Sequence, residues 1–166
     1  MRRTCRGSMV VETALWIPVL VLLISGIIQF GKITYIYYTL RKTVYTAAGY
    51  LAQQQGTNFC DLANDANTQA ALNFAVTGTT DGSAPALVSN LTPAMLQVTL
   101  ECVDPSSGVP SVCANPGCGS DVGAERPDYI VVGIPGGFPV QPRIPFITLE
   151  PVALSPSAAV PFGGVL

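Results

Sequence analysis

Histidine occurs nowhere in these 166 residues. Its absence removes the commonest general base, the commonest metal ligand and the usual triad partner, so enzyme chemistry has few carriers here. Cations are scarce too: after Tyr50 only Arg126 and Arg143 stand against nine Asp and Glu, a balance of minus seven. A surface of that sign does not attract nucleic acid and keeps an exposed domain soluble. The remaining acids are scattered. Asp61, Asp65 and Asn67 miss the spacing of a calcium loop, and Gly117-Cys-Gly-Ser-Asp-Val-Gly123 lacks both the spacing and the preceding strand of a dinucleotide fingerprint. Asn90-Leu-Thr92 is formally a glycosylation acceptor, but Pro93 follows it directly. There is no internal repeat and no Gly-x-x-x-Gly pair in the apolar segment, so close helix dimerisation has no specific signal. The expectation is a protein that is not an enzyme and uses no cofactor or metal.

What is present is a long apolar run. Thr13 to Gly31 carries no charge over nineteen residues, close to the roughly 20 needed to cross a bilayer as a helix. Arg2, Arg3 and Arg6 lie just before it. That basic cluster predicts a cytoplasmic N-terminus and an extracytoplasmic remainder. A secretory signal places its small-residue cleavage site after the apolar stretch; here the small, polar break is upstream, at Gly7-Ser8. Glu12 is the only carboxylate near the run. At the edge of hydrocarbon it costs on the order of 2 to 3 kcal/mol unless it reaches headgroup water or finds a partner.

A cut after Gly7 makes Ser8 the first residue of the mature chain and Glu12 the fifth. The segment Arg6-Gly-Ser-Met-Val-Val-Glu-Thr-Ala-Leu-Trp-Ile-Pro-Val-Leu20, with Ile27-Ile-Gln-Phe-Gly31 after it, resembles the TadE-like proteins of tight-adherence (Flp) pilus systems, within the type IV pilin superfamily. The resemblance covers residues 6 to 52. It implies a leader of residues 1–7 removed by a prepilin peptidase, a helix over residues 8–55 with its transmembrane part at about 13–31, and an extracytoplasmic α+β domain over 57–166. It also implies a minor pilin or pseudopilin whose partners are other pilins, the peptidase and the inner-membrane assembly platform. A type II secretion pseudopilin shares these features. An uncleaved, single-pass membrane-anchored binding protein is the alternative from another class, and it requires neither Gly7 nor Glu12.

The motif has its own physics. A new amine at Ser8 lies one helical turn from Glu12, so the carboxylate can neutralise its own terminus or a neighbour's. Between packed helices, removing one partner strands the other charge at a cost of about 3 to 5 kcal/mol. Glu12 is therefore expected to guide subunit assembly. Pro18 removes one backbone hydrogen bond and introduces a local bend.

Beyond the run, Ile33, Ile36, Tyr37, Leu40, Val44, Ala47, Ala48 and Leu51 recur by three and four, which predicts one amphipathic helix continuing outward to about Gln55, with Gly56 as its stop. Tyr35, Tyr37 and Tyr38 fall where a membrane–water interface is expected, and Tyr45 and Tyr50 read as packing.

Eleven of the fourteen prolines come after residue 100. Asp61 is placed as the cap of a second helix through about Val76, and Thr92-Pro93 as the start of a short helical turn. Leu96–Cys102, Tyr129–Ile134 and Ile144–Leu149 read as strands, the later ones shortened by proline. The expected fold is α+β: a long N-terminal transmembrane and amphipathic helix packed on a small antiparallel sheet, with a proline-rich C-terminal tail. Cys60, Cys102, Cys113 and Cys118 are disulfide candidates in an oxidising compartment. The turn-forming Ala-Asn-Pro-Gly favours Cys113 with Cys118, leaving Cys60 for Cys102; Cys102 with Cys113 across a hairpin is the alternative. Zinc is a poor fit to Cys-x4-Cys without histidine. Cys5, in the piece expected to be removed, is assigned no role.

Overall fold

The structure, a computed structural model, describes residues 6–114, 116, 125–145 and 147–163. In chain order its elements are α1 (Arg6–Gln53), α2 (Ala66–Thr77), a 3-10 turn (Pro93–Met95), β1 (Gln97–Val103), β2 (Pro110–Val112), β3 (Tyr129–Gly133), β4 (Phe138–Val140), β5 (Arg143–Ile144), β6 (Ile147–Thr148), β7 (Val152–Leu154) and β8 (Ser157–Pro161). The class is α+β, as the patterning predicts. The chain divides into two compact units, one drawn from Met1–Tyr35 and Pro139–Val152, the other from Ile36–Phe138 and Ala153–Leu166.

α1 is a single helix of 48 residues that continues through Pro18. Its ending is stepwise: the Gln54 N–H turns back to the Leu51 carbonyl at 3.1 Å, and Gly56 takes a φ of +73° that glycine adopts without strain.

In the first unit, the helix portion presents its apolar side chains to the surroundings. From Met9 to Phe30 every large hydrophobic side chain that stands out is more than two-fifths exposed, including Leu15, Trp16, Leu23, Ile27 and Ile28. The same unit holds β5 and β6, paired antiparallel with Arg143 opposite Thr148 and Ile144 opposite Ile147. The expected single strand Ile144–Leu149 is thus two short strands. The chain reverses at Pro145, whose fixed φ and missing N–H suit a turn and interrupt a ladder.

In the second unit a four-stranded antiparallel sheet runs in the order β2-β1-β3-β8. Leu100 lies opposite Ile130 and Val98 opposite Val132, and Ile130 and Val132 are fully buried. Leu40, Val44, Ala47, Ala48 and Leu51 of α1 are fully buried as well. Their spacing of three and four makes one continuous stripe, and the two alanines allow a close approach of backbones. α2 adds Ala71, Leu72, Ala75 and Val76 to this core. Tyr50 of α1 packs against Phe74 of α2 with ring centroids 5.5 Å apart.

The cap of α2 corrects one expectation. Asp65 is the N-cap: its carboxylate accepts from the Thr68 N–H at 2.8 Å and the Thr68 hydroxyl at 3.0 Å. Asp61 instead engages the Asn64 side-chain amide one turn earlier. Asp65 also accepts from the Asn58 N–H at 3.1 Å, so it ties the incoming loop to the helix start, which Asp61 is too early to do. At the other end Gly78, in the left-handed region, donates to the Phe74 carbonyl at 2.8 Å.

The proline-rich tail contains a strand that its composition conceals. β8 pairs with β3 along its whole length, from Tyr129 opposite Pro161 to Gly133 opposite Ser157. After it, Phe162 meets Phe59 edge to face at 5.2 Å, with the Arg126 guanidinium 5.2 Å from the Phe162 ring. Gly163 then donates to the Ala52 carbonyl at 3.1 Å, satisfying one of the carbonyls that a helix end leaves unpaired.

The disulfide corrects the favoured pairing. Cys102 and Cys113 are joined, with Cα atoms 4.9 Å apart. The turn that matters is Asp104–Gly108, closed by the Gly108 N–H on the Asp104 carbonyl at 2.7 Å. It sets Cys102 opposite Ser111 in the β1–β2 ladder, which brings Cys113 diagonally across from Cys102. Cys60 is also disulfide-bonded, to a partner beyond the described residues, and Cys118 lies outside them.

Candidate functional site

Gly7, Ser8 and Glu12 all fall in the first turns of α1. Ser8 and Glu12 are four positions apart, so the two positions share a helix face. Glu12 is exposed and is surrounded in sequence by exposed Met9, Val10, Val11, Leu15 and Trp16. It therefore stands as a single carboxylate on an apolar rod. Beside it the Thr13 hydroxyl donates to the Met9 carbonyl at 2.8 Å, which hides that polar group within the helix. Pro18 leaves the Ala14 carbonyl without its usual donor. These residues lie in one continuous stretch of sequence on one helix.

Among the described residues α1 is the one helix long and apolar enough to cross a membrane, and the most apolar part of it has no residue buried within the molecule. A run of exposed Leu, Ile, Val and Phe this long requires cover from outside the chain.

A second feature went unrecognised in the sequence. Tyr38, Arg41, Lys42 and Tyr45 follow one another at positions i, i+3, i+4 and i+7 and so lie on one face of α1. With Ser157, Ala158 and Ala159 of β8 they line a groove of about 530 Å³ in the second unit. The tyrosines taken for packing therefore divide: Tyr50 packs on Phe74, whereas Tyr45 is 62% exposed at the groove. The helical spacing of two basic and two aromatic residues was the available signal. It lacked a second wall until β8 was placed.

A further groove of about 640 Å³, between α2 and the start of β1, is lined chiefly by apolar side chains with Gln69, Asn73 and Gln97. It contains no ionisable group, so it offers neither an acid nor a base for chemistry.

Residues 7–49 match the family model of the TadE-like proteins. The match begins at the Gly7-Ser8 step and ends within α1, so residues 50–166 lie outside it. No curated protein and no solved structure matches the chain.

Proposed function

We propose, from a helix that is TadE-like over residues 7–49, that this chain is a minor pilin or pseudopilin of a Tad (Flp) pilus system. In this reading it is made as a precursor and inserted once through the bacterial inner membrane with its N-terminus cytoplasmic. A prepilin peptidase cuts after Gly7. Ser8 supplies the new amine, Glu12 neutralises that amine or a neighbouring subunit's, and Pro18 tunes the helix for lateral packing. The α+β domain stands outside the membrane and contributes to assembly and adhesion. The other pilins and the inner-membrane assembly platform are its partners.

One observation carries the reading: Glu12 is a lone carboxylate on an otherwise bare apolar helix, five residues after a glycine. A carboxylate there needs a cation that the described chain does not offer it, and the amine released at Ser8 is one helical turn away. A type II secretion pseudopilin would use the same pair, and the genes beside this one distinguish the two machines.

The test is the N-terminal sequence and intact mass of the protein extracted from membranes of cells with active prepilin peptidase. A chain starting at Ser8 is expected. Glu12→Ala should still be cut but be lost from the sheared filament fraction. A chain that keeps Met1 overturns the proposal in favour of an uncleaved, membrane-anchored binding protein.

A further inference from the structure

Among the described residues no strand pairs with the outer edge of β2 or of β8, and the bonding pattern says which backbone groups those edges present. At β8, the Phe162 N–H donates to the Asp128 carbonyl at 2.8 Å and the Ile134 N–H to the Pro156 carbonyl at 3.2 Å. With Ile130 opposite Val160, alternate residues Ala158 and Val160 turn towards β3, and Ser157, Ala159 and Pro161 turn away from the sheet. At β2, the Cys113 N–H donates to the Leu100 carbonyl at 3.0 Å and the Asp104 N–H to the Val109 carbonyl at 3.2 Å. By the same alternation, Pro110 and Val112 face outward. Pro161 and Pro110 have no N–H, so each edge can pair only over a short stretch.

We propose that a second copy of this chain lays its β2 edge along β8, antiparallel, in the groove between β8 and α1. Backbone groups select the register. With Val112 opposite Ser157 the two residues exchange both hydrogen bonds, and the Ala159 N–H meets the Pro110 carbonyl. A shift by two residues sets Pro110 against Pro161, where neither has a donor. One side chain agrees with this placement. Val109, 59% exposed, falls opposite Val160 in this register and so on the face of the sheet that packs on α1, where the rings of Tyr38 and Tyr45 line the groove.

Charge is complementary. Arg41 and Lys42 are exposed and make no ion pair among the described residues, whereas the incoming hairpin turns at Asp104. The Ser106 hydroxyl and N–H hold that carboxylate at 2.6 and 2.7 Å and keep it below the usual aspartate range. A lipid headgroup suits the groove less well. Arg41 is ten residues past Gly31, or about 15 Å of helix, beyond the few ångströms of headgroup that border the hydrocarbon. The two contacting edges differ, so the contact is head-to-tail, and each added copy leaves one edge of each kind open.

The inference rests on sheet edges and is independent of N-terminal processing; a chain that keeps Met1 leaves it standing. Its test is photocrosslinking of the full chain in membranes with Tyr45→p-benzoylphenylalanine. An adduct of two copies is expected, with the crosslinked peptide of the second copy mapping to residues 109–112. Ala159→Pro and Val112→Pro each remove an outward N–H that makes no bond among the described residues. Each should lower the adduct about tenfold, the worth of one interface hydrogen bond, with the melting curve and the Cys102–Cys113 bond unchanged. Arg41→Glu with Lys42→Glu should produce a similar loss without touching the sheet. An adduct mapping elsewhere, an adduct with another protein or with lipid, no adduct from folded protein, or a yield that none of these variants alters would overturn the proposal.

Discussion

Leu23 and Leu51 belong to the same helix, yet the first is 59% exposed and the second is wholly buried. The first half is the more apolar, without a charge from Thr13 to Gly31, whereas the second carries Lys32, Arg41 and Lys42. They differ in pattern as well: the first is apolar all round, whereas the second confines its apolar residues to one stripe. An all-round apolar helix needs an apolar solvent, and a striped one needs a folded partner. The contrast shows one continuous element serving two environments, with the sequence period changing where the environment does.

The sharpest way to break that contrast is to place a charge in each half. Leu51→Asp should cost more than about 3 kcal/mol, because it leaves an unpaired carboxylate at a wholly buried position, and the second unit should lose its cooperative melt by circular dichroism. Leu23→Asp should leave that melt unchanged and instead reduce the fraction of protein recovered in membranes. If both substitutions affect the same readout, the halves are not independent.

Removing the crosslink comes next in size. Cys102→Ser with Cys113→Ser opens a loop spanning eleven positions and should destabilise the second unit by about 2 to 3 kcal/mol, read as a lower melting midpoint with the helix content retained in detergent. Asp65→Ala removes the α2 cap and should cost about 1 kcal/mol, again in the second unit only.

The smallest effect is a pH dependence. The carboxylates of Asp81 and Asp104 are held below their ordinary value of 3.8, Asp81 chiefly by the Ser83 N–H and Asp104 chiefly by the Ser106 hydroxyl. A lowered carboxylate contributes stability that is present above 3.8 and fades as the pH falls through the folded value. Both groups are fully exposed, so the slope should be shallow. Asp81→Asn with Asp104→Asn should flatten it further in an acid titration followed by fluorescence.

The legible parts of the molecule were those with a strong local period. The buried stripe of α1 followed from spacing alone, as did β1 and β3, whose alternation and β-branched residues are unambiguous. The Thr92-Pro93 turn was legible for a different reason, because proline at the first helical position is specific. The misread parts depended on partners distant in sequence. β8 lies between Pro156 and Pro161 and contains Ser and Ala, so nothing local marks it as a strand; only its pairing with Tyr129–Gly133 does. Asp61 and Asp65 are chemically identical cap candidates, and the choice between them is made by the Asn58 N–H, which depends on the loop's path. The cysteine pairing failed for a similar reason, since two turn-forming segments flank Cys113 and only the ladder register decides between them. The groove was unreadable because one of its walls is β8.

The bond from Gly163 to Ala52 joins residues separated by nearly the whole of the second unit, and β8 fills the last place in its sheet. Because a chain emerges from the ribosome N-terminus first, α1 is complete long before the strand that finishes the sheet beside β3. The sheet beside β3 is therefore complete only once 157–163 have been made, and a pause or truncation upstream of Ser157 would leave β3 with an unpaired edge.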